Sequence, residues 1–250
     1  MDDRMKVNLF DYTGAGTDDP AHYAACMLIF TKSTRLNLTP DLLNQIMNDW
    51  PEEKILEELN YMANTIPSSW EFCHYSFLIT GVTRAFTHQL VRTRTASFAQ
   101  QTMRTVDVQG WDYSTGPTVE DDEDRLESYG DTMAAIERGY KELIDLGAKP
   151  EDARGVLPTN IQTNICMSMN LRGLADLFRK RATSRVQGEY RDVIELIKEA
   201  MVAVHPWTTI FFDRTADRAA KELDEEIQKM PIPQVDRIRV TKLLDQIRNA

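Results

Sequence analysis

Nowhere in these 250 residues is there a run of about 18 apolar residues, so no membrane-spanning helix is expected. The start, MDDRMKVNLF, has no basic stretch leading into an apolar one, and no signal peptide is expected. Cysteine is scarce and widely spaced, at Cys26, Cys73 and Cys166. Such spacing suggests neither a disulfide framework nor a zinc site, and fits a reducing cytoplasm. The three thiols read as small buried hydrophobes. His22, His74, His88 and His205 form no metal-ligand spacing, so no metal site is predicted. A basic excess is missing as well. The formal net charge is −10, which disfavours a coat for DNA or an anionic membrane. It leaves room for a nucleotide, because a local arginine cluster binds phosphate on an acidic protein.

Repeats and low-complexity tracts are absent too, and the remaining pattern is helix-rich. Residues 1–22 read as irregular, broken by Gly14, Gly16 and Pro20. Thr39 and Pro40 read as the cap and first position of a helix carrying Leu42, Leu43 and Ile46. Pro51 opens another, with Ile55, Leu56 and Leu59. From Trp70 to Ile79 alternating aromatics predict a strand, and Val82, Phe86 and Leu90 a helix after Gly81. Residues 107–125 read as an exposed loop whose acidic run, Glu120 to Asp124, is solvated surface. Helices are predicted over roughly 126–146, 159–182, 187–203 and 214–229, then a short one after Pro231 and Pro233. The fold class is therefore α+β, a helix-rich single domain over 1–250 with a small sheet and a C-terminal helical extension from about 210.

Charge is distributed unevenly. The chain holds 39 acidic residues, yet none lies between Phe72 and Val106, where Arg84, Arg92, Arg94 and Arg104 occur. A second acid-free stretch runs from Gly155 to Ala175, flanked by Arg154 and containing Arg172. Arginine presents a planar fork of donors that matches phosphate and keeps its charge, so the two stretches together suggest an anion site. Leu171, Leu174, Phe178, Arg181 and Arg185 fall on one helical stripe. A cation continuing an apolar face needs a partner. Either a bound phosphate supplies it, or the helix leaves the core before Arg181.

The segment His88-Gln89-Leu90-Val91-Arg92-Thr93-Arg94-Thr95-Ala96-Ser97-Phe98-Ala99-Gln100-Gln101-Thr102-Met103-Arg104 resembles the signature of the flavin-dependent thymidylate synthases. There the usual form is Arg-His-Arg, seven residues, Ser, and an Arg two positions on. Glu71 and Phe77 to Ala85 resemble the family's approach to that signature, and Ala153 to Pro158 its Ala-Arg-x-x-Leu-Pro segment. Asn170 to Leu174, Arg181, Gln187-Gly188-Glu189 and His205-Pro206-Trp207 resemble its later landmarks. The resemblance covers roughly residues 60–210.

It implies a homotetramer with active sites between subunits, FAD as cofactor, and methylenetetrahydrofolate and NADPH as co-substrates. The reaction implied is one-carbon transfer to C5 of a pyrimidine deoxynucleotide, dUMP to dTMP. The redox chemistry then belongs to the flavin, and the protein supplies positioning and electrostatics. By position, Gln89, Arg92, Gln100, Gln101, Thr102, Arg104 and Arg154 would contact the nucleotide. Arg181 would hold the pyrimidine ring, where a cation stabilises developing negative charge. Arg181, Thr102 and Arg92 are the residues nearest the chemistry. Ser68, Glu71, Thr93, Arg94, Thr95, Asn170 and Arg172 would sit around the flavin, with Arg92 near both ligands. No Gly-x-Gly-x-x-Gly occurs, so the flavin is not expected to be held in the Rossmann manner.

Departures from the family pattern cluster at the chemistry. Thr93 replaces the usual histidine beside the flavin, Thr102 replaces serine, and Ala99, Met103, Thr105 and Arg185 also differ. Drift around an intact activity explains this, as does altered chemistry: a pyrimidine nucleotide hydroxymethylase, or a change of base from dUMP to dCMP. A carbonyl accepts where an amine donates, so a site built for one base rejects the other. Loss of activity is a third reading. From other classes, Ser97 with His88 lacks a nucleophile elbow, which disfavours a hydrolase. A non-enzymatic nucleic-acid binder has the arginine stretch with Phe86 and Phe98 in its favour. Against it stand the acidity and the lack of a DNA-binding motif, so no direct nucleic-acid partner is expected.

Overall fold

The computed structural model describes residues 5–34, 36–65, 67–104, 112–181, 188–212, 223, 225–227, 229 and 233–248. Two compact units emerge, each discontinuous in sequence. One comprises Met1–Asp11, Tyr75–Met169 and Arg181–Ala200, the other Tyr12–His74, Asn170–Lys180 and Met201–Ala250.

The first unit holds the sheet. Strands β1 (Lys6–Tyr12), β2 (His74–Thr83), β3 (Ser97–Gln100) and β4 (Gln162–Asn170) lie in the order β1-β2-β4-β3. β3 runs antiparallel to β4, with Ser97 opposite Ser168 and Gln100 opposite Ile165. On β4, Thr163, Ile165, Met167 and Met169 are buried and alternate with half-buried Gln162, Asn164, Cys166, Ser168 and Asn170. That period of two makes residues 162–170 a strand and corrects the helix predicted from 159. Met, Asn and Cys carry little β preference, so composition hid the alternation. β1 likewise corrects the irregular start. β2 begins after a 3-10 turn at Pro67–Phe72, which leaves Trp70 buried and Phe72 57% exposed rather than both in a strand. Gly81 does not end β2 but sits inside it at φ 67°, a backbone state that side-chain-bearing residues avoid.

Among the described residues three helices follow in this unit, with two short ones between them. α4 (Arg84–Leu90) is capped by Thr83, whose Oγ1 accepts from the Phe86 amide. After the short α5 (Pro117–Glu120) comes α6 (Glu123–Asp145), where Asp122 is the cap and Glu123 and Asp124 fill the first turn. The acidic run is largely exposed, as expected, and it also opens α6, where negative charge suits the helix dipole. α7 (Pro150–Ala153) leads to Arg154, and α9 (Gly188–Val204) closes the unit, its last turn passing into the second.

The second unit is helical. α1 (Pro20–Lys32) packs on α2 (Pro40–Asp49), α3 (Glu52–Thr65) and the 3-10 turn. Sequence periodicity missed α1 because Ala24, Ala25, Cys26, Leu28 and Ile29 are all buried, leaving no polar face to alternate with. The turn before it needs Gly14 at φ 89°, where a Cβ would lie 2.8 Å from the Pro20 carbonyl oxygen. α2 starts as predicted, with Thr39 accepting from the Leu42 amide and Pro40 at the first position. Trp70, Trp207, Phe211 and Phe212, the last two on α10 (Thr209–Phe212), form an aromatic core. Trp70 meets Phe211 edge-on at 4.8 Å, and Phe178 meets Phe212 likewise. Phe178 belongs to α8 (Leu171–Arg181), whose stripe of Leu171, Leu174 and Phe178 is buried as the sequence predicts. A C-terminal helix spans Gln234–Arg248. The predicted helix over 214–229 lies largely outside the described residues, as do Thr105, Arg185 and Gln187. Among the described residues no helix is long and apolar enough to cross a membrane. No group of three His, Cys, Asp or Glu side chains among them is placed to hold a metal.

Candidate active site

The signature segment occupies the end of α4, a tight turn, β3 and the residues just after it. Amide bonds from Arg92 to Gln89, Thr93 to Leu90 and Ala96 to Thr93 close the turn. That leaves Arg92, Arg94 and Thr95 exposed and Thr93 half-buried. β3 then fixes Gln100, whose Nε2 donates to Thr87 Oγ1 at 2.8 Å. Beyond the strand, the Gln101 amide donates to the Asn164 carbonyl. Asn164 Nδ2 in turn donates to Gln101 Oε1 at 2.9 Å, and its Oδ1 accepts from the Gly81 amide at 3.2 Å. The positive φ at Gly81 thus turns a backbone donor toward the side chain that orients Gln101. Thr102 Oγ1 accepts from the Arg104 amide at 3.1 Å, which ties those two positions together.

Two arginines bear on this frame. Arg84, at the start of α4, donates to the Gln101 carbonyl at 3.5 Å. Burial lowers its pKa, and the positive charge of Arg154 lowers it further. Two like charges therefore approach one another at Gln101. Arg154 itself donates to the Glu151 carbonyl at 3.2 Å. Among the described residues, none of Arg84, Arg92, Arg94, Arg104 and Arg154 pairs with a carboxylate. Unpaired guanidiniums on a chain of net charge −10 are a donor set suited to phosphate.

A second neighbourhood forms at Arg181. Its guanidinium lies 4.6 Å above the Tyr190 ring, which is fully buried at the start of α9. The stripe of α8 thus ends half-buried on an aromatic face, and a cation–π contact supplies the partner that its apolar surroundings require. Burial pushes the Tyr190 phenol up, while Arg181 and Thr93 hold it down. The start of α9 is clamped by Glu189, which accepts from the Thr83 amide and the Thr83 hydroxyl, both at 2.7 Å.

The second unit carries the remaining candidates. Arg172 bonds Glu71 at 2.5 Å, and both side chains are nearly half-exposed. Asn170 Oδ1 caps α8 through the Gly173 amide at 2.9 Å. Its amide nitrogen keeps its donors free of any protein acceptor among the described residues. Ser68 is exposed on the 3-10 turn.

Residues 9–207 match the family described as thymidylate synthase complementing protein, Thy1. The chain belongs to the flavin-dependent thymidylate synthase family. It is 30% identical over 213 residues to the flavin-dependent thymidylate synthase of Clostridium tetani, covering 78% of this chain and 82% of that one. It is 36% identical over 216 residues to that of Sulfurisphaera tokodaii, covering 81% and 75%. A match to that of Nitratidesulfovibrio vulgaris, 36% over 135 residues, spans about half of each chain, 51% and 55%. Among solved structures, the fold is shared with a UMP/dUMP methylase, PolB, from Streptomyces cacaoi, bound with 5-Br dUMP. There the TM-score is 0.66 at 17% identity, over 83% of this chain and 94% of that one. Within this family frame, sequence reasoning singled out neither Tyr190 nor Arg84 as a site residue. Arg84 carried a signal, its place in the acid-free stretch, whereas Tyr190 carried only its position next to Glu189.

Proposed function

We propose that this chain transfers one carbon from methylenetetrahydrofolate to C5 of a pyrimidine deoxynucleotide, converting dUMP to dTMP with FAD as cofactor and NADPH as reductant. The observation that carries the reading is Arg84, bonded to the Gln101 carbonyl with a second cation, Arg154, bearing on it and neither paired with a carboxylate among the described residues, in a chain that belongs to this family.

In this reading Arg104, Arg154 and Arg84 take the nucleotide phosphate, since their forks have no competing carboxylate among the described residues. Gln89, Gln100, Gln101 and Thr102 fix the sugar and base, and Arg92 lies toward both ligands. Arg181 faces the pyrimidine, where its charge stabilises negative charge developing on the ring. The donor set also fits a flavin. Arg92, Thr93, Arg94 and Thr95 present guanidiniums and hydroxyls on one turn. Ser68, Glu71, Asn170 and Arg172 are assigned to the flavin by the family resemblance alone. Bound FAD supplies the two-electron chemistry that completes the methyl group. We further propose a homotetramer with active sites at subunit interfaces.

Product mass tests the reading. The protein, supplied with FAD, NADPH and methylenetetrahydrofolate, is offered dUMP and dCMP separately. A methylated uracil nucleotide is the expected product. The substitution of Thr93 for histidine favours one rival reading, altered chemistry on the same scaffold. A hydroxymethylated product, or product from dCMP alone, would establish that rival.

A further inference from the structure

The guanidinium of Arg181 rests on the ring of Tyr190, whose exposure is 0%. Three features hold the ring still. Phe86 meets it at 5.1 Å with a 61° interplanar angle. The residue before it, Glu189, is pinned by two bonds to Thr83. The Arg181 guanidinium covers its face at 4.6 Å. The Tyr190 oxygen makes no hydrogen bond among the described residues, so the aromatic face and not the hydroxyl is what the fold uses here.

We propose that Tyr190 is the positioning residue for Arg181: its ring is the platform for the guanidinium. The inference rests on the proposed role of Arg181 at the pyrimidine. Tyr190 is buried and touches no ligand itself. It fixes where the Arg181 charge stands and limits the rotamers the long side chain explores.

Double-mutant cycles on the full-length protein with FAD bound test this. Tyr190→Leu removes the platform and is expected to lower kcat at least tenfold, with nucleotide Kd within about threefold of wild type, because the phosphate is held elsewhere. Combined with Arg181→Lys, it should add nothing beyond Arg181→Lys alone. Tyr190→Phe keeps the aromatic platform and should keep kcat within about threefold of wild type. Overturning results are wild-type kcat in folded Tyr190→Leu, a loss in Tyr190→Phe as large as that in Tyr190→Leu, or effects of Tyr190→Leu and Arg181→Lys that multiply. If Tyr190→Leu does not fold, Tyr190→Met, apolar without an aromatic face, takes its place in the cycle. A wild-type protein that yields no product from any pyrimidine nucleotide refutes the proposed function and this inference with it. An active wild type with multiplying effects refutes the inference only.

Discussion

Arg84 and Arg104 illustrate how little a single residue type reveals without its neighbours. Both are arginines in one acid-free stretch, yet Arg104 is exposed after β3 whereas Arg84 is half-buried against Gln101 and repelled by Arg154. A guanidinium held next to another cation is stabilised by an anion, so removing it should be felt in binding. Arg84→Leu is expected to weaken nucleotide binding by about tenfold or more, since a hydrogen bond to a charged group contributes roughly 1.5–3 kcal/mol. Titration calorimetry with dUMP measures it, and an unchanged affinity would take Arg84 out of the phosphate site. Arg104→Ala should abolish nucleotide binding while circular dichroism and melting stay as in the wild type. Retained affinity in that folded variant would sink the assignment of the signature.

Elements matter here through their ends. β2 passes into α4 at Thr83, and that one side chain caps α4 and donates to Glu189 on α9. The joint places the turn of Arg92 to Thr95 at one end of α4 and Tyr190 at the start of α9. Glu189→Gln replaces one acceptor oxygen by an amide that faces the Thr83 donors, so one of the two bonds is lost. The expected cost is about 1–3 kcal/mol in urea unfolding, with kcat falling as the Tyr190 ring shifts. No change in either quantity would mean that α9 is held by its apolar face alone. At α2 the cap is local: Thr39→Ala should cost about 1 kcal/mol and leave activity untouched.

At the scale of the whole molecule, pH acts through His205. Its ring is fully buried, stacked on Trp207 at 5.3 Å and edge-on to Tyr12 at 5.5 Å. Burial lowers its pKa from 6.5 to about 4, although backbone groups of Pro20 and Thr13 oppose the shift. The folded state thus favours the neutral ring, and the unfolded chain binds the proton more readily. The resulting stability is fully present above about pH 6.5 and is lost as pH falls toward 4. At pH 5 the loss from this group is about 2 kcal/mol. His205→Gln should start less stable at neutral pH and show a flatter decline between pH 7 and 5 in urea unfolding. An unaltered slope would show that the ring is protonated in the fold. Light scattering is expected to give a tetramer, and a fully active monomer would refute that assembly.

Much of this protein was legible before any tertiary contact. The order and spacing of the arginine-bearing segments carried the family, because chemistry at phosphate demands particular side chains at particular intervals. The Thr39 cap and the stripe of α8 were legible too, since caps and amphipathic periods are local. Tertiary structure alone decided the rest. α1 is buried around most of its circumference and so lost its periodic signal, and β4 reads as a strand only once its neighbours β2 and β3 are in place. Tyr190 under Arg181 and Arg84 beside Arg154 join residues 9 and 70 positions apart. The sequence can require such partners, but only the packed chain selects which ones meet.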